Sequence, residues 1–408
     1  GQVLYVLFGG LLLYNLLAAG GAVEAVSRFL GRLEPEREAL ALVVVVGAAP
    51  FFESVTGFGV AVVISAPILL AAGFSQLKAA VLSTWGQCAV PWGALGIGTV
   101  IGADLSGVSF AALSDLSALL SLPLFPIYAV SAVALAGGWS GVRKRGAEAV
   151  FLGFVAGTAT LATSLFLVPE LSGAVGGLTA TAVFLAARRR RLGNLGLPVR
   201  ATLPYAFLLA LLGVANGLPV ARDLFAALGP VFDGPGFALF LSAAFAAVLF
   251  GLGGQAIGTA AGRTWRQWLP TAAAVVTFVL AGQVVAASGA AATLAAGAAA
   301  FGGFYGAVAP VVGALGGALT GSNAASNALF MPLQIEAARS LGVSEGFVAA
   351  TQNVSGSHAS MVAPQRVVLA ATAVGMVGRE GEVARKALLP VAISVVVLAL
   401  LGVLFGAI

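Results

Sequence analysis

The stretch TGSNAASNALFMPLQ at residues 320–334, with TQNVSGSHASMVAPQ at residues 351–365, decides how the rest of this sequence is interpreted. Elsewhere the chain consists mostly of Ala, Leu, Val, Gly and Phe. Here polar side chains interrupt the apolar runs: Ser322, Asn323, Ser326, Asn327, Gln334, Gln352, Asn353, Ser355, Ser357, His358 and Gln365. In a hydrophobic chain such groups cost free energy unless they are buried in protein or face a water-filled cavity. The density of polar groups therefore predicts a binding site for a solute.

The composition identifies the solvent of this chain as lipid. Of its 408 residues, 60% are apolar and only 9% are charged, whereas a soluble domain carries roughly 25% charged residues. Many runs reach the roughly 20 apolar residues that span a bilayer, and no run shows the alternation of a membrane β-strand. We predict an all-α polytopic membrane protein with a single transmembrane domain over residues 1–408.

Cysteine, histidine and charge exclude several other classes. The single cysteine, Cys88, and the single histidine leave no disulfide framework and no Cys- or His-rich metal site, so we expect no metal and no cofactor. The net charge of +5 comes mostly from arginine clusters beside apolar runs. Such clusters are typical of orientation signals rather than of nucleic-acid binding. The expected partners are the lipid bilayer and a small solute, and a homo-oligomer remains open.

The apolar runs predict about a dozen membrane-spanning or re-entrant helices. They lie at about 2–20, 39–50, 60–72, 79–101, 117–137, 149–168, 172–187, 202–217, 236–251, 269–288, 296–319, 366–378 and from 388 onward. Basic clusters at 143–145 and 188–191 are separated by two spans, so we expect both on one side. The positive-inside rule makes that side the cytoplasm and puts Pro169-Glu170 outside.

One apolar run is too short to cross the membrane. Pro50 is expected to end or kink the helix that starts near residue 39, and the polar, glycine-containing sequence FFESVTGFGV follows at 51–60. The next apolar segment, 60–72, has only about 13 residues, fewer than a span needs. It is predicted to be one half of a re-entrant hairpin or of a broken helix.

Two parts of the chain follow the same plan. In the first, polar breaks are expected at 53–59 and around Ser83, Thr84 and Gln87; in the second, at 320–327 and 351–360. Paired interrupted segments in corresponding halves indicate a transporter site at a repeat interface. We predict repeats at about 39–187 and 235–408. The alternative is chance recurrence of small residues in a chain with 55 glycines.

Four motifs resemble those of the lactate permease family, in the same order between about residues 40 and 378. They are FFESVTGFG (51–59), VPELSGAVGGL (168–178), LTGSNAASNALFMPLQ (319–334) and NVSGSHASMVAPQ (353–365). The resemblance implies a secondary transporter of the cytoplasmic membrane that takes up L-lactate, or in some relatives glycolate or D-lactate, by proton symport. It also implies further N-terminal spans, which we expect this chain to lack.

Three positions depart from the pattern of that family. Asn323 stands where the family tends to have Asp, and Ser360 where it tends to have Lys. Arg366 follows Pro364-Gln365 where a small residue is more frequent. Relative to the family pattern, this chain thus lacks one acid and one cation and has one additional cation. These changes affect the prediction of which substrate and which coupling ion the chain uses.

A small 2-hydroxy acid needs partners for its carboxylate and its hydroxyl. Helix N-terminal N–H groups, hydroxyls, amides or a cation can bind the carboxylate. The candidate substrate-binding residues are Ser322, Asn323, Ser326, Asn327, Asn353, Ser355, Ser357, Thr84, Gln87 and Arg366. The alternatives are local capping of interrupted helices by the small polar residues and snorkelling of Arg366 to the interface.

Glu53 and His358 are the candidate proton carriers. A carboxyl group in an apolar setting can load and release a proton as access alternates, and imidazole titrates near neutral pH. The alternatives are an interfacial glutamate and a structural, hydrogen-bonded histidine.

Three other functions are alternatives to proton symport. Sodium coupling is the main alternative, because Ser, Asn and Thr oxygens at helix breaks can coordinate the ion. A passive channel would conduct without saturation. We predict no enzymatic activity, since an intramembrane enzyme would need a nucleophile–base pair or a metal cluster.

Overall fold

The computed structural model describes residues 2–405 except 35, 58, 193–195, 197, 230, 233, 291–292, 294–295 and 298. Its regular elements are helices, and no strand occurs in the part of the chain that is described. Eight of the described helices are long and apolar enough to cross a membrane, and one further pair, bent by 63°, qualifies if taken as one span. The predicted all-α membrane fold is confirmed.

The helices of the first half are α1 (Gln2–Ala19), α2 (Ala22–Leu33), α3 (Arg37–Thr56), α4 (Val60–Ala71), α5 (Gln76–Trp85), α6 (Gly93–Ser106), α7 (Phe110–Ser121), α8 (Leu124–Phe166) and α9 (Ser172–Ala187). Those of the second half are α10 (Val199–Gly217), α11 (Pro219–Leu228), α12 (Pro235–Phe250), α13 (Gly254–Ala287), α14 (Tyr305–Thr320), α15 (Asn323–Leu341), α16 (Glu345–Ser360), α17 (Pro364–Ala373) and α18 (Glu380–Phe405). Short helical turns cover Val90–Trp92, Pro169–Leu171, Arg189–Leu192 and Ala299–Phe304.

Helix α3 lies at the centre of the molecule. Every residue from 39 to 56 except Ala48 is buried. Pro50 was expected to end or kink this helix, and the first of these two expectations is wrong, because α3 continues to Thr56. A π-helical turn, Val44–Ala48, ends two residues before the proline. A proline ring lacks an N–H and collides with the carbonyl four residues earlier, and a wider turn relieves both problems.

Two helical hairpins flank breaks in the bundle. Hairpin 1 is formed by α4 and α5 and hairpin 2 by α15 and α16. The short α4, 12 residues long, is the predicted half of a hairpin. Hairpin 1 follows the break between Thr56 and Val60, and hairpin 2 follows the break between Thr320 and Asn323. The repeats themselves stay a prediction.

The second break of each half was placed too early. Residues 351–360 are helical throughout, and the interruption comes at 361–363; Ser83 and Thr84 are likewise helical. Polar side chains are tolerated there because they bond to carbonyls one turn back. Thr351 Oγ1 donates to the Phe347 carbonyl at 2.7 Å, for example.

Spans were also misplaced in two regions. The predicted span 117–137 is divided between α7 and α8, and α8 continues through the basic cluster with a sharp bend at Gly138 (φ 65°, ψ −156°). The predicted span 269–288 belongs to α13, which begins at Gly254. The predicted span 296–319 corresponds to Ala299–Phe304 and α14, and residue 298 at its start lies outside the described residues.

The two basic clusters lie on one face, as predicted. Arg188 pairs with both Glu34 and Glu148, and Arg145 pairs with Glu148 at 2.7 Å and with Glu36 at 2.5 Å. The hydrogen bond from Arg145 lowers the pKa of Glu36 to about 2, with Lys144 adding to the effect. We call this network the charged face.

The tips of the hairpins point to opposite faces. Arg37, at the charged face, lies 6.0 Å from the ring of Phe74 in the tip of hairpin 1. Gly346, near the tip of hairpin 2, lies beside Leu116, which follows Asp115 in the sequence. The Asp115 carboxylate accepts a hydrogen bond from Ser164 in α8. At 1.5 Å per residue, Ser164 lies about 24 Å along α8 from Glu148, which belongs to the charged face, so Asp115 is near the opposite face. The hairpins are therefore oppositely oriented in the membrane.

Glycines allow α14 and α16 to pack backbone against backbone. A Cβ atom on Gly317 would collide with the carbonyl oxygen of Gly356. Close approach at small residues is a common source of helix association in lipid, where no hydrophobic driving force acts between helices.

Replacing Gly317 by alanine should therefore destabilise the protein by about 1–3 kcal/mol, since an added methyl in a packed interface forces the helices apart. Thermal unfolding of the purified protein in detergent measures the effect. Gly262→Ala in α13 is the matched control, because a Cβ there meets nothing within 4 Å. Equal melting temperatures for the two variants would contradict this account of the packing.

Candidate functional site

A small buried cavity lies where the broken helices end. Its volume is about 30 Å³, room for one or two water molecules. Its lining residues come from both breaks: Glu53, Gly57, Val90, Gly93, Ala94, Ile97, Gly98, Ser322, Asn323, Ala324 and Arg366. Because this space is so small, a solute larger than water requires the surrounding helices to separate.

A buried ion pair occupies one side of the cavity. Arg366 Nη1 lies 3.1 Å from Glu53 Oε1, with Glu53 fully buried and Arg366 only 8% exposed. The same Nη1 donates to Gln87 Oε1 at 2.6 Å, and Nε donates to the Gly321 carbonyl at 3.2 Å. With Glu34, which belongs to the charged face, these two are the only buried charged residues among those described.

Glu53 also interacts with the start of α4. Its carboxylate accepts from the backbone N–H of Gly59 at 3.2 Å and of Ala61 at 3.4 Å. Gly57 (φ 70°) and Gly59 (φ 79°) make the turn that brings these N–H groups round, and both have the positive φ that favours glycine. At Gly57 a Cβ would also lie 2.8 Å from that of Ala94. The glycines of the GFG motif therefore permit the contact of Glu53 with α4.

The electrostatics of the cavity favour an anion. Helices α4 and α15 both begin at it, and the first N–H groups of a helix lack intrahelical acceptors and carry a partial positive charge. At α15 the Ser322 hydroxyl oxygen caps the helix by accepting from the Ala325 N–H at 3.4 Å. Glu53 and Arg366 balance one another, and the last carbonyls of α3 and α14 carry the opposite partial charge at the same breaks, so the N–H groups attract an anion locally rather than through a net positive field. Broken helices of transporters bind carboxylates with such ends.

Three asparagines form a second side of the site. Asn353 Oδ1 accepts from Asn323 Nδ2 at 2.9 Å and from Asn327 Nδ2 at 2.8 Å, and Asn353 Nδ2 donates to Thr99 Oγ1 and to Ser117 Oγ. Of these, Asn323 lines the cavity. The Oδ1 atoms of Asn323 and Asn327 are buried and have no hydrogen-bond partner.

A strained turn forms the third side. Ala94 (φ 49°), Leu95 (φ 57°) and Gly96 (φ 80°) are all in the left-handed region, which costs roughly 1–2 kcal/mol for each non-glycine residue. Ala94 lines the small cavity, whereas Leu95 lines a larger one of about 220 Å³, and Ile97 lines both. The turn thus separates the two cavities. Backbone strain of this kind clusters at functional sites.

The cavity includes some of the predicted site residues and not others. Ser322, Asn323, Arg366 and Glu53 line it, and Gln87 contacts it through Arg366. Asn327 and Asn353 form the layer behind Asn323. Four predicted residues lie in helix packing away from the lining: Thr84, Ser326, Ser355 and Ser357. Their placement favours the alternative of structural polar groups.

His358 lies apart from the cavity, between α16 and α8. Its Nδ1 is 3.3 Å from the hydroxyl of Tyr128, and its Nε2 is buried without a hydrogen-bond partner. His358 and Glu53, the two candidate proton carriers, do not line a common space in the structure.

Several residues of the site were not singled out from the sequence. Thr99 and Ser117 hold the amide of Asn353, and Ala94 and Ile97 form the wall of the cavity. The glycine-rich run GALGIG at 93–98 was the available signal for the wall. Nothing in the sequence pairs Thr99 with Asn353, because they are 254 residues apart.

A helical membrane protein whose broken helices enclose a buried, charged cavity has the architecture of a membrane transporter. Comparison with known proteins agrees with this class. The family model of the L-lactate permeases matches residues 1–232 and 229–408. The chain belongs to the L-lactate permease family, as its motifs suggested, and that family consists of permeases rather than enzymes.

Individual relatives align over most of the chain. The L-lactate permease of Salmonella typhimurium is 27% identical over 94% of this chain and 80% of its own length. The L-lactate permease of Escherichia coli is 26% identical with the same coverage. The glycolate permease GlcA of Escherichia coli is 25% identical, again over 94% of this chain and 80% of its own length.

The buried ion pair leads to a prediction about stability. Removing one partner of such a pair leaves an uncompensated charge and costs about 3–5 kcal/mol, whereas removing both costs less. Arg366→Gln should therefore lower the melting temperature more than the double variant Glu53→Gln/Arg366→Gln does. Thermal unfolding of the four proteins of this double-mutant cycle measures the coupling. Additive effects would show that the two charges do not depend on each other.

Proposed function

We propose that this chain is a proton-coupled symporter that takes up L-lactate across the cytoplasmic membrane, with glycolate or D-lactate as further substrates. The names of its relatives, L-lactate permeases and a glycolate permease, support the substrate class. The observation that carries the coupling is the buried Glu53–Arg366 ion pair at the cavity. The charged face, which is rich in arginine, supports a cytoplasmic location for that side.

The substrate carboxylate is proposed to bind Arg366. This guanidinium is held in place by Gln87 and by the Gly321 carbonyl, so its position does not depend on Glu53 alone. The starting N–H groups of α4 and α15 add to the attraction. Glu53 contacts the N–H groups of α4 and adjoins those of α15. The substrate carboxylate would therefore compete with the Glu53 carboxylate for these groups and for Arg366.

Competition for one cation couples substrate to proton. While Glu53 is ionised it neutralises Arg366, and a second carboxylate would leave a net negative charge buried in protein, which is costly. If Glu53 takes up a proton, the substrate carboxylate replaces it as the partner of Arg366 and the site stays neutral. One proton and one monocarboxylate then move together.

Movement of the hairpins would open the site. Hairpin 1 supplies the N–H groups at Glu53, and hairpin 2 supplies Asn323. Their tips point to opposite faces, so displacement of one or the other would expose the cavity to one side at a time. The strained turn at 94–96 stands between the cavity and the 220 Å³ space beside Glu170, and marks a path to the face opposite the charged one.

Sodium coupling is a second candidate, favoured by one observation. The unpartnered Oδ1 atoms of Asn323 and Asn327 are neutral oxygens of the kind that bind hard cations. In that case Glu53 would stay ionised throughout, and uptake would depend on sodium at fixed pH.

Uptake of labelled L-lactate into proteoliposomes tests the proposal. With an inward proton gradient and no sodium, the wild type should accumulate lactate, and its initial rate should fall as external pH rises because Glu53 must be protonated. Glu53→Gln should lose accumulation while retaining lactate exchange between the two sides, because a neutral side chain leaves Arg366 available. His358→Gln is the matched control and should retain accumulation.

The outcomes separate the alternatives. Loss of accumulation in His358→Gln but not in Glu53→Gln would move the proton site to the histidine. Accumulation that requires sodium and ignores the proton gradient would support the second candidate. Uptake that neither saturates nor responds to any gradient would indicate a passive channel.

A further inference from the structure

We propose that Asn323 recognises the hydroxyl group of the substrate. Its Oδ1 would accept the hydrogen bond of the 2-hydroxyl while the carboxylate binds Arg366, so that Asn323 selects 2-hydroxy acids over 2-oxo and unsubstituted acids. This inference rests on the proposed function and assigns a specificity-determining residue to the same site.

The first argument is the position of the side chain. Asn323 and Arg366 line the same small cavity, on hairpin 2 and on α17. In a 2-hydroxy acid the hydroxyl and the carboxylate are on adjacent carbons, so their partners must also face one space. Asn323 Oδ1 is buried without a partner, and a buried unsatisfied acceptor is uncommon enough to require an explanation. A donor on the substrate supplies it.

The second argument is that the amide orientation is determined by a chain of hydrogen bonds. Asn327 has its Nδ2 2.9 Å from the Gly98 carbonyl, which can only accept. The same Nδ2 lies 2.8 Å from Asn353, so the facing atom of Asn353 must be Oδ1. That Oδ1 then requires the Asn323 atom 2.9 Å away to be Nδ2. Asn323 is left with its oxygen free.

A fixed acceptor discriminates by chemistry rather than by size. A 2-hydroxyl group donates to Oδ1, whereas a 2-oxo group offers only an acceptor and would oppose it. An acid without a substituent leaves Oδ1 unsatisfied. A site that hydrogen-bonds a substrate hydroxyl rejects analogues that lack it more strongly than an apolar pocket rejects a change in size.

Asn327 and Ser322 are less suited to this role. The Oδ1 of Asn327 is also unpartnered, but Asn327 does not line the cavity. Ser322 does line it, yet its oxygen already caps α15 by accepting from Ala325. Asn323 is the residue of the three that combines a place at the cavity with an unused acceptor.

Competition for uptake tests the inference. The initial rate of labelled L-lactate uptake into proteoliposomes is measured against unlabelled L-lactate, pyruvate and propionate. In the wild type, half-inhibition by pyruvate or propionate should need at least about tenfold more competitor than half-inhibition by L-lactate. In Asn323→Ala and in the isosteric Asn323→Leu, this ratio should fall to about threefold or less, mainly through weaker competition by lactate.

Ser357→Ala is the matched control, because Ser357 Oγ is equally buried and unpartnered but does not line the cavity. It should keep the ratio of the wild type. A second readout needs no transport: L-lactate should raise the melting temperature of the purified wild type more than propionate does, and the difference should vanish in the Asn323 variants.

The results distinguish this inference from the proposed function. Carboxylates that compete equally in the wild type, or a ratio unchanged in the Asn323 variants, would overturn the role of Asn323 alone. If those variants fail to fold, equal competition by the three acids in the wild type still overturns the inference. A preference for lactate that exists only with sodium would assign Oδ1 to a cation and overturn the inference. If folded wild type neither transports nor binds any carboxylate, the proposed function fails and this inference with it.

Discussion

The site depends on one constraint, which is that the buried guanidinium of Arg366 must have partner groups within the protein. A charged group inside the membrane has no water to solvate it and must be satisfied by protein. Arg366 draws on the carboxylate of Glu53 from α3, the amide of Gln87 from the break after α5, and the carbonyl of Gly321 from the end of α14. One guanidinium thereby joins the two breaks of the molecule. In the proposed mechanism, a motion that opens the cavity exchanges these partners, and a substrate carboxylate or a proton influences conformation in this way.

The helix breaks serve binding and movement together. Ending α3 and α14 inside the bundle exposes the N-termini of α4 and α15 to the cavity, which an unbroken span could not do. Glycines with positive φ make the turns at these breaks, at Gly57, Gly59 and Gly321, and two non-glycine residues with positive φ, Ala94 and Leu95, lie in α6 beside the cavity. Backbone strain of the kind seen at Ala94 and Leu95 clusters at functional sites.

The structure shows what the residues do at the three positions that depart from the family pattern. The chain resembles a pattern that tends to carry Lys at position 360 and a small residue at 366, whereas here a serine and an arginine occupy them. Ser360 Oγ donates to the Ser357 carbonyl within α16, and Arg366 supplies the cation of the cavity instead. At position 323, asparagine in place of aspartate supplies an uncharged acceptor with a definite orientation. The site thus balances Glu53 with one cation, and in the proposed function a neutral amide reads the substrate hydroxyl.

Composition and motif order by themselves determined the membrane fold, the family, the short segment after residue 60 and the common side of the basic clusters. These follow from local properties: hydrophobic length, glycine and proline placement, and charge next to apolar runs. Only the tertiary structure decided which polar residues share a cavity. Ser355 and Ser357 differ little in sequence context from Asn323, yet helix packing directs them elsewhere. The pairing of Glu53 with Arg366 spans 313 residues, and contacts between such distant positions arise from the packing of whole helices, which no local pattern encodes.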